Sequence, residues 1–289
     1  MTGGFNPQPP APGRFWWALA LPGLAVLVLA IVLQGQPAEK DLFLVLNHGA
    51  TRLPAWLWSC LSTMGETGVL FALLSPLLWW RPQALLAVLA AAPFGGLMSV
   101  ALKLWFDAPR PASLIDPDQF NVIGPLLHKA SFPSGHTITA FAAAAAILIT
   151  LWLQHAPGAG PRHHRRQGPR WGCWLALVLL LGLAKAVGFS RIAVGAHWPV
   201  DVLAGAGVGW FAGVAGAWMA ARYAALCTNL RAQNFTALGL AALALWVFYK
   251  PAEYALGQGV VWLALAAGLG GGVVAVWRVW KRTFTNRSH

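Results

Sequence analysis

The sequence predicts an all-α, polytopic transmembrane helical bundle. Three observations predict it. Of 289 residues, 58% are hydrophobic and only 10% charged, a balance that water-soluble domains do not show. Apolar runs long enough to cross a bilayer as helices recur along the chain. The charges fall mostly between those runs, so the formal net charge of +12 suits membrane topology better than a nucleic-acid partner. The short alternating segments of a transmembrane β-barrel are absent from the pattern. Cys60, Cys173 and Cys227 lie in or beside apolar segments and form neither a disulfide framework nor a zinc pattern, so they are expected to be small core residues.

Taken in order, residues 1–14 are rich in Pro and Gly and lack periodicity, which predicts a disordered cytoplasmic tail. Phe15 to about Leu33 is the first span, too long and too poorly followed by small residues to read as a cleaved signal. Asp41–Asn47 alternates as a short amphipathic helix on the membrane surface. Trp56–Trp80 is expected to be the second span, with Glu66 inside it, and Gln83 to about Trp105 the third. After Lys103 the chain leaves the membrane through a Pro-rich, acidic segment from Asp107 to Phe132. Ser134-Gly135-His136 opens the fourth span, which runs to about Leu153. A basic loop follows, then a fifth span from Trp171 to about Val187 and a sixth from near Pro199 to about Arg222. Phe235–Tyr249 and Gln258–Trp277 add two further spans, the first of them short.

Threaded from a cytoplasmic N-terminus, Arg14, Arg81, the Arg162–Arg170 cluster, Arg222, Arg231, Lys281 and Arg282 fall on one side. Cytoplasmic loops carry the Lys/Arg excess, so that side is inside and both termini are cytoplasmic. Lys103, Arg110, His136, Arg191, His197 and Asp201 then converge on the outer face, although none was used to set the threading. Ionisable groups at membrane depth are functional by default. His197 and Asp201 are four apart beside Pro199, a good first-turn residue, so the carboxylate is expected to hold one imidazole nitrogen on a shared helix face. Alone, that pair also fits a helix cap at the membrane surface. Lys103, Arg110, Arg191, Ser134 and the N–H of Gly135 at a helix start suit a tetrahedral oxyanion. Two histidines suit phosphoryl transfer without a metal, one attacking phosphorus and the other protonating the leaving oxygen. The sequence shows no clustered carboxylates to hold a metal, so none is expected as cofactor.

The pattern K-x6-R-P from Lys103, then P-S-G-H ending at His136, then S-R-x5-H-x3-D from Ser190 resembles the type 2 phosphatidic acid phosphatases, or lipid phosphate phosphatases. The resemblance covers roughly Trp56–Arg222, and every specified position is matched. It implies a six-helix phosphatase core, here residues 15–225, and says nothing of the C-terminal hairpin and basic tail that the apolar pattern predicts over 226–289. It implies that His197 is the nucleophile, Asp201 its orienting partner and His136 the acid and then base. Lys103, Arg110 and Arg191 would bind the phosphoryl oxygens with Ser134 and Gly135. Ser190 receives only a supporting role. The implied protein is a metal-independent lipid phosphatase of a bacterial inner membrane, its site facing the periplasm. Its substrate would be a lipid phosphate monoester or diphosphate, undecaprenyl diphosphate before phosphatidylglycerol phosphate, phosphatidic acid or a lipid A phosphate. A lipid-to-lipid phosphotransferase and a non-catalytic lipid carrier are the alternatives.

The remaining motifs read structurally. Arg162-His163-His164-Arg165-Arg166 is expected to set topology rather than bind metal or acidic lipid. The glycines from Gly268 to Gly272 suit close helix packing better than a phosphate loop. Trp16, Trp17, Trp79 and Trp80 sit at span ends as an aromatic belt, and His128 and His155 are loop residues. Glu66 is expected to pair with a cation, shape substrate choice or form a structural hydrogen bond.

Overall fold

The computed structural model describes residues 13–155 and 170–285, and among them there is helix and no strand. Residues 1–12 of the tail expected over 1–14, and the 162–166 cluster, lie outside the described residues, while Gly13 and Arg14 are helical and open the first span. Helices run in the order α1 (Gly13–Leu33), α2 (Ala38–Ala50), α3 (Ala55–Met64), α4 (Thr67–Leu74), α5 (Leu77–Trp80) and α6 (Pro82–Phe106). After a short turn, α7 (Pro111–Leu114), come α8 (Gly135–His155), α9 (Arg170–Ala193), α10 (Pro199–Arg222), α11 (Leu230–Tyr249) and α12 (Gln258–Thr285). Seven helices are long and apolar enough to cross a membrane, or eight if the bent pair α3 and α4 counts as one span. That agrees with a six-span core followed by two more.

α10 is the axis of the bundle, packed against α8, α6 and α1. Its glycines explain how. A Cβ on Gly205 would lie 2.7 Å from the Ser134 carbonyl, and one on Gly209 would lie 2.5 Å from that of Ile138. Residues four apart share a helix face, so hydrogens at these positions let the two backbones touch, as small residues do between membrane helices. This contact sets the N-terminus of α8 beside that of α10. Gly209→Ala is expected to lower the thermal unfolding midpoint in detergent, since overpacking against rigid backbone costs about 1–3 kcal/mol. An unchanged midpoint would show that the helices do not approach this closely.

Two elements differ from expectation. The second span is not one helix: α3 and α4 meet at a 77° bend across Gly65 and Glu66. Gly65 presses on the first turn of α8, where a Cβ would lie 2.9 Å from His136 Cβ, while Glu66 takes an extended backbone and starts α4. The break gives the carboxylate a protein partner, Lys250 Nζ at 3.7 Å, instead of lipid. The fifth span also continues past Val187 to Ala193, carrying Ser190 and Arg191 in its last turns. A cation normally ends a span; here Arg191 is 1% exposed and its two Nη atoms are bonded by Tyr254 and Glu253.

The surface segment forms α2, which turns Phe43 and Asn47 inward and leaves Val45 exposed. The C-terminal hairpin packs on the broken span, with Val247 of α11 and Val260 and Ala264 of α12 against Val69 and Ala72 of α4. A Cβ on Gly268 would lie 2.5 Å from Ala244 Cβ, in keeping with the packing role expected of that stretch.

Candidate active site

The turn from α9 to α10 is built around Gly195, whose φ of +79° lies where side chains are strained. A Cβ there would also lie 2.7 Å from the Phe120 ring. The turn folds back so that the N–H groups of Ala196 and His197 both donate to the Arg191 carbonyl, at 3.0 and 3.1 Å. The last carbonyls of a helix need outside donors. Those of Ile192 and Ala193 accept from the side-chain amide of Asn47 at 2.9 and 3.3 Å, and Asn47 is fully buried. Nothing in the short amphipathic segment singled that residue out.

His197 lies just before α10, not on it: Trp198 is the N-cap and Pro199 the first helical residue. The pairing with Asp201 is nevertheless made, Nδ1 donating to Oδ2 at 3.2 Å. The same oxygen accepts from the Trp198 N–H at 2.9 Å and from the hydroxyl of Ser131, a partner the motif pattern omits. A carboxylate can only accept, so the imidazole proton sits on Nδ1 and the Nε2 lone pair points the other way. It faces Arg110 Nη1 at 3.3 Å. His197 is 2% exposed. Burial, then the nearby Arg110 and Arg191 guanidiniums, pushes its pKa well below the usual 6.5. The neutral, nucleophilic form therefore persists into mild acid. The acid limb of kcat/KM, which reports the free enzyme, is expected below pH 6.5; a limb at or above that value would show that the histidine is not held neutral.

The cations are anchored by backbone carbonyls. Arg110 donates to Lys129 at 2.8 Å and to Ala196 at 3.0 Å, and Lys103, in the last turn of α6, donates to Ala130 at 2.7 Å. Opposite them, Ser134 starts α8, its N–H bonded to the Asp201 carbonyl at 3.0 Å and its hydroxyl accepting from Thr137 at 2.9 Å. The first turn of a helix leaves N–H groups without intrahelical acceptors. A Cβ on Gly135 would meet nothing within 4 Å, so that turn has open space beside it. Among the described residues, His136 Nε2 and Arg191 Nε are buried without a hydrogen-bond partner. Ser190 holds the end of α9, bonding the Val187 carbonyl at 2.7 Å and the Ser62 hydroxyl at 3.0 Å.

The structure thus brings Lys103, Arg110, Ser134, His197 and Asp201 into one set of contacts, with Arg191 bonded to the His197 N–H through its carbonyl and Gly135 and His136 in the helical turn that follows Ser134. It adds carboxylates the sequence did not cluster: ligand atoms of Glu66, His136 and Glu253 lie within 4.8 Å of one another. These residues open a cavity of about 510 Å³ that reaches along α6 from Ser99 to Val88 and is walled by Phe71, Ala142, Trp246 and Val247. Eleven residues of helix is about 16 Å, enough to reach well into the membrane-spanning part of the bundle.

Residues 83–227 match the family model described as the PAP2 superfamily. The chain is 24% identical over 200 residues to an undecaprenyl-diphosphatase of Sulfolobus acidocaldarius, a match covering 66% of this chain and 84% of that protein. It is 34% identical over 123 residues to a lipid A 1-phosphatase of Rhizobium johnstonii, covering 41% of each. Among solved structures, LpxE of Aquifex aeolicus is 27% identical, with a TM-score of 0.49, over 66% of this chain and 99% of that one. A PAP2-type phosphatidylglycerolphosphate phosphatase from Bacillus subtilis is 20% identical, with a TM-score of 0.47, over 68% of this chain and 92% of that one.

Proposed function

The chain belongs to the PAP2 superfamily, and on that premise we propose that it is an integral membrane lipid phosphatase working through a phosphohistidine. One observation carries the reading. The unprotonated Nε2 of His197 meets the Arg110 guanidinium at 3.3 Å, while His136 lines a largely apolar cavity. Phosphoryl oxygens would lie among Lys103, Arg110, Arg191, Ser134 and the Gly135 N–H, and the lipid would lie in the cavity on the side of His136.

In the first step Nε2 of His197 attacks phosphorus, the N–P bond forms and the bond to the leaving oxygen breaks. His136 gives that oxygen its proton. Asp201 accepts the Nδ1–H bond and stabilises the imidazolium that develops. The cations carry the charge on the equatorial oxygens. His136, now neutral, takes a proton from water as it attacks phosphorus, the N–P bond breaks, and inorganic phosphate leaves. These steps draw on no metal.

The substrate is a lipid phosphate monoester or diphosphate, with undecaprenyl diphosphate first and a lipid A phosphate, phosphatidylglycerol phosphate and phosphatidic acid after it. The names of the Sulfolobus and Rhizobium relatives support the first two. The site is placed on the outer side of a bacterial inner membrane, with both termini inside. In support, Arg14, Arg81, Arg222 and Arg231 lie at the ends of the helices remote from the site, and the Lys/Arg excess marks the inner side. The test is phosphate release by purified protein in detergent with EDTA, across those four lipids. Release that survives chelation and favours one lipid is expected. Phosphate appearing only when an acceptor lipid is added would make the protein a transferase instead.

A further inference from the structure

Arg191 is held by residues outside the region that matches the family, since that match ends at residue 227. Glu253 and Tyr254 come from the loop between α11 and α12. Tyr254 is 2% exposed, and its Oη accepts from Arg191 Nη1 at 2.6 Å. The guanidinium also lies 5.4 Å from the centre of the Tyr254 ring. The ring is seated among Trp58, Val194 and Ala196 and rests on Gly124, where a Cβ would lie 2.7 Å from it. It cannot swing without disturbing the α9–α10 turn. Glu253 Oε1 lies 3.4 Å from Arg191 Nη2 and is less buried than the tyrosine. The third donor, Nε, is buried without a partner among the described residues.

The planar fork of an arginine takes a carboxylate and a phosphate in the same geometry. Glu253 and a phosphoryl oxygen therefore compete for Nη2, while Nε has no protein acceptor to compete for it among the described residues. Tyr254 does not compete. Burial raises its pKa, so it stays a neutral phenol whose oxygen fixes the direction of the fork.

We propose that the α11–α12 loop completes the phosphate site, with Tyr254 as a positioning residue for Arg191 and Glu253 as an internal anion that the phosphoryl group displaces. The proposal rests on the reading that Arg191 binds the substrate phosphate. It makes the C-terminal hairpin a working part of the site, and it gives two neighbouring residues effects of opposite sign.

The experiment measures KM and kcat for a lipid phosphate, and direct binding of orthovanadate, in the parent protein, Y254F and E253Q. In Y254F the fork loses a charge-assisted bond, so KM and the orthovanadate Kd are expected to rise roughly tenfold, with kcat changed less. In E253Q the competing charge is gone and the shape is kept, so both constants are expected to fall by about threefold. A merely structural role would move both variants the same way. Shifts in one direction, or none, overturn the proposal while leaving the phosphatase reading intact. If Y254F does not fold, E253Q decides alone: orthovanadate bound no more tightly than by the parent overturns it. A parent that neither binds orthovanadate nor releases phosphate removes the phosphatase reading, and this proposal with it.

Discussion

Replacing His197 with alanine is expected to reduce phosphate release by about four orders of magnitude, to the level left by charge stabilisation and binding alone. The size follows from the site. Among the described residues, His197 and His136 are the two imidazoles beside the cations, and only His197 has its proton committed elsewhere, to Asp201 at 3.2 Å. His136 lines the cavity, which on the proposed reading is the side of the leaving group. The substitution should not collapse the fold around it. Asp201 keeps its bonds to the Trp198 N–H and Ser131, and Lys103 and Arg110 keep their carbonyl anchors. Orthovanadate binding should then be weakened far less than turnover. Two readouts check this: release of inorganic phosphate, and trapping of an acid-labile phosphoenzyme that the parent forms and His197→Ala does not. Full phosphate release by that variant sinks the nucleophile assignment. An unaltered ability to move lipid with no release in either protein would favour the carrier.

Why the candidate site residues were legible in the sequence is a matter of cost. In a chain of apolar helices, Lys103, Arg110, Arg191 and Asp201 are expensive, so their spacing stands out against little else. The helices were legible for the related reason that backbone in lipid must satisfy itself. What stayed hidden depends on pairing at long range. Hydropathy reads α3 and α4 as one run because Gly65 and Glu66 interrupt it only slightly, and the partner that makes the break favourable, Lys250, lies far along the chain. Arg191 was expected outside the membrane because nothing local could satisfy it; Tyr254 and Glu253 do so from another helix pair. Asn47 reads as the polar edge of a surface helix, yet it is fully buried and caps α9. Glu66 and Glu253 are distant in sequence, so a cluster of carboxylates beside His136 could not be read from spacing.

His136→Ala separates the two halves of the proposed reaction. General acid catalysis is worth about 10²- to 10⁴-fold, and it matters most when the leaving group is a poor one. A lipid alkoxide is poor and nitrophenolate is good. Turnover of a lipid phosphate monoester is therefore expected to fall by about a thousandfold, whereas formation of the phosphoenzyme from a nitrophenyl phosphate should fall far less. The second half-reaction gives the variant its signature. Without His136 the attacking water loses its proposed base, so the N–P bond made by His197 is expected to persist. A nitrophenyl phosphate should give a burst of nitrophenolate equal to the enzyme present, followed by a slow phase. Equal losses for both substrates, without a burst, would mean that His136 serves only to shape the site. The Nε2 of His136, without a fixed hydrogen-bond partner on a residue that lines the cavity, is the arrangement a proton shuttle requires.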